Sequence, residues 1–111
     1  MGFTTGGEAV HELDDVVHRS VAWLDHHNGR GEQELTLRIL KVVEEAGEVA
    51  AAWIGTVGQN PRKGITHSRD DVAAELADVV LTALVAIESL GLDPHDVLAT
   101  CATKVARRLP A

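Results

Sequence analysis

Residues 70–90 read DDVAAELADVVLTALVAIESL, and their periodicity decides the fold. Set at about 100° per residue, Val72, Leu76, Val79, Val80, Leu81, Ala83, Leu84 and Ile87 cover most of a helical circumference. Asp71, Glu75, Asp78, Thr82 and Ser89 form the narrow polar strip that is left. A helix on the surface of a monomer needs one apolar stripe, not so wide an arc. The segment therefore lies at the centre of a larger bundle or pairs with a second copy of the chain. Since few other helical segments are available to surround it, self-association is expected.

The neighbouring segments carry the same period. Val10, Leu13, Val17, Val21 and Leu24 recur at helical steps from about Glu8 to His27, before the turn Asn28-Gly29-Arg30-Gly31. Leu35, Ile39, Val43, Ala46, Ala50 and Trp53 mark the apolar side of a second helix from Glu32 to Ile54, with Gly55 and Gly58 expected to stop it. Gly55 to Arg69 reads as a loop, long for a compact helical domain and so a candidate working segment. The helix of residues 70–90 closes at Gly91, and Asp93-Pro94 opens a last one that runs to about Arg108. The expected fold is all-α, a four-helix protomer forming an oligomeric helical bundle. Residues 8–111 make a single domain behind a flexible, glycine-rich start at residues 1–7.

Composition agrees with that reading. At 111 residues there is room for one domain, and 45% hydrophobic with 24% charged residues is the balance of a soluble globule. Only Phe3, Trp23 and Trp53 are aromatic, so the core is built from Val, Leu, Ile and Ala, which disfavours strands. A net charge of −7 argues against duplex nucleic acid or an anionic membrane as partner, because both call for a dominant basic patch. The single cysteine, Cys101, forms no internal disulfide and is expected to pack at an apolar position of the last helix. With no export signal at the start, a cytoplasmic location is expected.

The chemistry lies in carboxylates. Glu44, Glu45 and Glu48 stand in VEEAGEV, residues 43–49, and Glu75 and Asp78 in AELADV, residues 74–79. Helical spacing stacks Glu45 with Glu48 and Glu75 with Asp78. If the two faces meet, four carboxylates converge, and each pair at ~5 Å repels by about 3 kcal/mol at an effective dielectric of 20. A divalent cation removes that repulsion. An all-oxygen donor set favours Mg²⁺ over zinc, with Mn²⁺ as a substitute. Taken alone, the glutamates of the second helix, with Lys41 four residues before Glu45, would read as a solvated, salt-bridged face. Two features argue otherwise: Glu75 and Asp78 interrupt a nearly apolar helix, and Gly47 stands mid-helix at a cost of about 1 kcal/mol, suiting close packing against a neighbour.

Glu44-Glu45-x-x-Glu48, followed further along by Glu75-x-x-Asp78, resembles the EExxE…ExxD signature of MazG-like nucleoside triphosphate pyrophosphohydrolases, an all-α family. Lys41 also fits that family's pattern, and the likeness spans roughly residues 32–90. It implies a dimer or dimer of dimers that binds Mg²⁺ and cleaves a nucleoside triphosphate between its α and β phosphates, a house-cleaning reaction on noncanonical nucleotides. Residue by residue, Glu45, Glu48, Glu75 and Asp78 match the metal ligands. Glu44 matches a position that holds a further metal or orients the attacking water, and is the catalytic candidate. Phosphoribosyl-ATP pyrophosphohydrolases share the carboxylate pattern, and a non-catalytic acidic helical oligomer binding cations or a partner protein is the competing class.

Candidates for substrate binding are Lys41, Asn60, Arg62, Lys63, Lys104 and Trp53. Arg62 and Lys63 offer charge-assisted donors from the long loop. Lys104, with Arg107 and Arg108, falls where a helix dipole already favours cations. Trp53, five residues after Glu48, can stack on a base, although it lies on the apolar side of its helix. His11 and His18 are expected at the surface or rim.

Overall fold

The computed structural model describes residues 6–111, with side chains from residue 11 onward. It is built of helices α1 (Gly6–Asn28), α2 (Glu32–Val57), α3 (Arg69–Ser89) and α4 (Pro94–Ala106), with no strand among the described residues. The all-α, four-helix expectation therefore holds for the protomer. Residues 1–5 of the expected flexible start lie outside the described residues, while Gly6 and Gly7 open α1.

The chain divides into two compact units. One runs through Arg30 and resumes at Leu84, so it contains α1, the end of α3 and α4. Val17, Val21, Leu84 and Ala86 are its buried apolar residues. Leu84, part of the wide apolar arc from which self-association is expected, is only 6% exposed because this core claims it. Two polar links cross the unit: His95 Nε2 to Asp14 Oδ1 at 2.6 Å, and His18 Nδ1 to Glu88 Oε2 at 3.4 Å. The α3–α4 turn follows from Gly91, left-handed at φ 84°, and from Asp93, whose carboxylate accepts the His95 backbone N–H at 2.8 Å. Cys101 is exposed, against the expectation of packing, and α4, with only α1 and the end of α3 as the other helical segments of its unit, has no buried residue.

The other unit, residues 31–83, holds α2, the connecting loop and α3 up to Ala83. Here the orientation of α2 corrects the sequence reading. The side turned inward carries Glu34, Arg38, Val42, Glu45, Val49 and Ala52, with Arg38 and Ala52 buried. Most of the row expected inside, Ile39, Val43, Ala46, Ala50 and Trp53, is exposed, and Val43 reaches 68%. The polar face wins because it has partners within the chain. Arg38 Nε donates to Glu34 Oε2 at 2.7 Å, and a single neighbouring helix can cover only one side of α2.

Gly55 does not end α2 but lies within it; Gly58, left-handed at φ 65°, is the cap and donates its N–H to the Ile54 carbonyl. Helical glycine costs about 1 kcal/mol, a modest penalty where bare backbone is needed for an approaching segment. That segment is Thr66-His67: a Cβ on Gly55 would stand 2.3 Å from His67 Nδ1 and 2.4 Å from Thr66 Oγ1. Gly47, by contrast, has open space where close packing was expected. The loop ends in a reciprocal cap that the sequence reading missed. Ser68 N–H donates to Asp71 Oδ2 at 2.8 Å, and Asp71 N–H donates to Ser68 Oγ at 3.2 Å.

Candidate metal centre and the cationic loop

Three of the expected ligands come together. Glu45 from α2 and Glu75 and Asp78 from α3 each offer a carboxylate oxygen, all within 4.8 Å of one another. Magnesium bonds oxygen at about 2.1 Å and calcium at about 2.4 Å, so donors on opposite sides of such ions are about 4.2 or 4.8 Å apart. Small side-chain rotations bring this half-buried to exposed triangle onto the smaller ion, and its all-oxygen chemistry suits a hard divalent cation. Glu48, one turn beyond Glu45, is exposed and is not part of the triangle, yet its charge still acts on Glu75.

Electrostatics at Glu75 register the crowding. Its carboxyl is held above the usual glutamate value, first by loss of solvent and then by the charges of Asp78, Glu48 and Glu45, with His67 opposing them. Lys41 neutralises the α2 side: its Nζ lies 2.7 Å from Glu44 Oε1 and 3.5 Å from Glu45 Oε1. The bond to Glu44 is the main reason its ammonium holds its proton more tightly than usual. Glu44 is exposed and stands at the edge of the cluster, tied to it through Lys41.

The remaining candidates divide by place. Asn60 serves the loop itself: its carbonyl accepts from Lys63 and Gly64 N–H at 3.0 Å, and its side chain accepts from Arg62 N–H at 3.0 Å. Arg62 and Lys63 are exposed there. Trp53 is partly exposed, with the Arg69 guanidinium 5.6 Å from its ring centroid. Lys104 belongs to the other unit, where it lines a shallow depression on α4 with Thr100, Thr103 and Arg107. His11 and His18 are exposed, as expected.

The sequence reading missed Arg38, His67 and Arg69. Arg38 was legible as the residue two turns before Glu45 on the same face. His67 left only an indirect sign, the glycine at position 55, which makes sense once the two are seen in contact.

A family model described as the MazG nucleotide pyrophosphohydrolase domain matches residues 33–111, which include Glu44, Glu45, Glu48, Glu75, Asp78 and the loop. No curated protein and no solved structure matches the chain. Enzymes of this family are generally dependent on divalent metal, in keeping with the acidic triangle. With the match covering well over half of its length, the chain belongs to the MazG nucleotide pyrophosphohydrolase family.

Proposed function

We propose that the protein is a Mg²⁺-dependent nucleoside triphosphate pyrophosphohydrolase that converts an NTP or dNTP and water to the monophosphate and pyrophosphate, clearing noncanonical nucleotides in the cytoplasm. The observation that carries this reading is the convergence of Glu45, Glu75 and Asp78, from two helices, at the motif positions of a matching family domain. These three, with Glu48, would hold the metal, and Mn²⁺ would substitute for it. When bound, the ion supplies charge neutralisation at phosphate oxygens and activates water. The chain's own residues do the rest. Glu44 accepts the proton of the attacking water, and Lys41 holds Glu44 beside Glu45 through its two contacts. The loop cations Arg62 and Lys63, with Asn60 and Trp53 of the same unit, complete the substrate contacts.

Self-association belongs to the same reading. Ile39, Val43 and Trp53 on α2 and Leu76 and Val80 on α3 are all exposed within the chain, and a contiguous apolar surface of such residues marks an interaction site. A homodimer or a dimer of dimers would cover it, and a stable 11.8 kDa monomer in sedimentation at micromolar concentration would refute this. Among the described residues no helix is long and apolar enough to cross a membrane.

The deciding experiment measures pyrophosphate release from a panel of ribo-, deoxy- and modified triphosphates and phosphoribosyl-ATP, with Mg²⁺, Mn²⁺ or chelator. Release from triphosphates that chelator abolishes supports the assignment. A phosphoribosyl-ATP preference would move the protein to the related branch, and no release from any substrate would leave the acidic oligomer.

A further inference from the structure

The cations of this chain fall into two groups. Arg19, Arg30, Arg38 and Lys41 all pair with carboxylates. Among the described residues Arg62, Lys63 and Arg69 pair with none, and neither do Lys104, Arg107 and Arg108 of the other unit, in a chain whose acidic side chains outnumber the basic by seven. With His67, the first three occupy positions 62–69, a stretch without an acidic residue. Cations without a carboxylate partner are available to an anionic ligand.

The last part of this stretch is fixed against α2. Thr66 N–H donates to the Gly55 carbonyl at 2.9 Å, and Thr56 Oγ1 donates to the Ser68 carbonyl at 3.3 Å. Thr66 Oγ1 lies 2.9 Å from His67 Nδ1, which orients the ring, and the missing Cβ of Gly55 makes room for it. Arg69 is held over Trp53. The α3 N-terminus is already capped by its own Asp71, so recognition of an anion here falls to side chains rather than to the helix end.

We infer that His67 and Arg69 bind the end of the nucleotide that leaves as pyrophosphate. The inference rests on the proposed hydrolysis. Arg69 opens α3 six residues before Glu75, about 9 Å along the helix, and His67 lies in the segment fastened to α2 just before it. That is within the span of a triphosphate whose phosphates would lie on the cation of the carboxylate triangle. Base and sugar are uncharged, whereas the terminal phosphates carry most of the negative charge, so the cationic loop matches the phosphate end and not the nucleoside end. As the bond between the α-phosphorus and the bridging oxygen breaks, the departing pyrophosphate gains charge, and N–H donors from both residues stabilise it.

Calorimetric titration with Mg²⁺–pyrophosphate and, separately, with nucleoside monophosphate tests this on the wild type, His67→Gln, Arg69→Gln and Gly55→Ala. Each single loss of a charge-assisted contact is expected to weaken pyrophosphate about tenfold or more, with monophosphate affinity changed less than about twofold and helical circular dichroism retained. Gly55→Ala, by displacing the imidazole, should reproduce the His67→Gln effect. Weakened monophosphate binding with unchanged pyrophosphate binding would place the loop at the nucleoside end and overturn the inference, as would unchanged binding of both or no pyrophosphate binding by the wild type. Turnover assays alongside separate the two readings. Wild type that hydrolyses triphosphates while His67→Gln binds pyrophosphate normally refutes only the inference. Wild type that hydrolyses none while its pyrophosphate affinity depends on His67 refutes only the activity.

Discussion

The two units handle their acidic side chains in opposite ways. In the unit of α1 and α4, Asp14 meets His95 and Glu88 meets His18, each carboxylate facing an imidazole across the fold. In the unit of residues 31–83, Glu45, Glu75 and Asp78 face one another, while three loop cations stay unpaired. The first arrangement gives these two carboxylates their partners within the chain. The second leaves like charges together, and on the proposed function a cation with an anion attached, the chemical description of a metal–polyphosphate complex, would complete it.

The sharpest way to break this comparison is to alter the side of like charges. Glu44→Gln is expected to lower turnover about a hundredfold or more, the usual scale for a general base, with nucleotide affinity much less affected. Glu75→Gln should weaken Mg²⁺ binding and activity together. Turnover at saturating Mg²⁺ beside calorimetric affinity checks both, and near wild-type turnover for Glu44→Gln would return that carboxylate to the solvated face.

Next in size is metal linkage. Mg²⁺ at a hundredfold excess over its dissociation constant should stabilise the fold by about 2.7 kcal/mol. Asp78→Asn should remove most of that gain and Glu48→Gln only part, because Glu48 stands outside the triangle. Without metal, the sign at Glu75 is unusual for a carboxylate. Its folded value lies above the unfolded 4.5, so the folded state holds the proton more tightly and stability falls as pH rises through that interval. Thermal melts in chelator across that window, on wild type and Glu75→Gln, read the difference directly.

Gly47→Ala sharpens the contrast between the free and covered sides of α2. Nothing lies within 4 Å of the added methyl group, so the substitution should stabilise the helix by about 1 kcal/mol and raise the melting temperature. A lower melting temperature with a changed sedimentation coefficient would instead put Gly47 at a contact between copies.

The smallest effect belongs to the unit of α1 and α4. Asp14 raises the His95 value, chiefly through their hydrogen bond, so the stabilisation is complete below the unfolded 6.5 and is lost as pH rises through the folded value. Asp14→Asn should flatten this dependence in pH-resolved melts. A dependence that survives the substitution would assign it to another group.

Periodicity made the helices legible, and paired spacing made Glu45, Glu75 and Asp78 legible as a cluster. The facing of α2 was not, because hydropathy ranks Val43 and Ile39 above Arg38 and Glu34 without knowing that the latter two satisfy each other in one chain. Cys101 failed for a related reason, since an apolar position on a helix says nothing about how many neighbours are present to cover it. Gly55 was taken for punctuation when it serves contact: a bare Cα signals both, and only the position of Thr66 and His67 distinguishes them. His67 and Arg69 escaped notice because the approach of a loop to a helix is a long-range property that local pattern does not encode.

The loop between α2 and α3 is mechanically two things. Asn60 closes Asn60–Gly64 into a turn through its own carbonyl and side chain, while Thr66–Ser68 is fastened separately to α2. The self-closed turn can therefore change in length and composition with little disturbance to the fastened part, since enlarging a surface loop costs only slowly with length. If Arg62 and Lys63 contact the substrate as proposed, its range can drift through residues 61–64 while the carboxylates keep their register, and the same turn is the natural place to insert a reporter peptide.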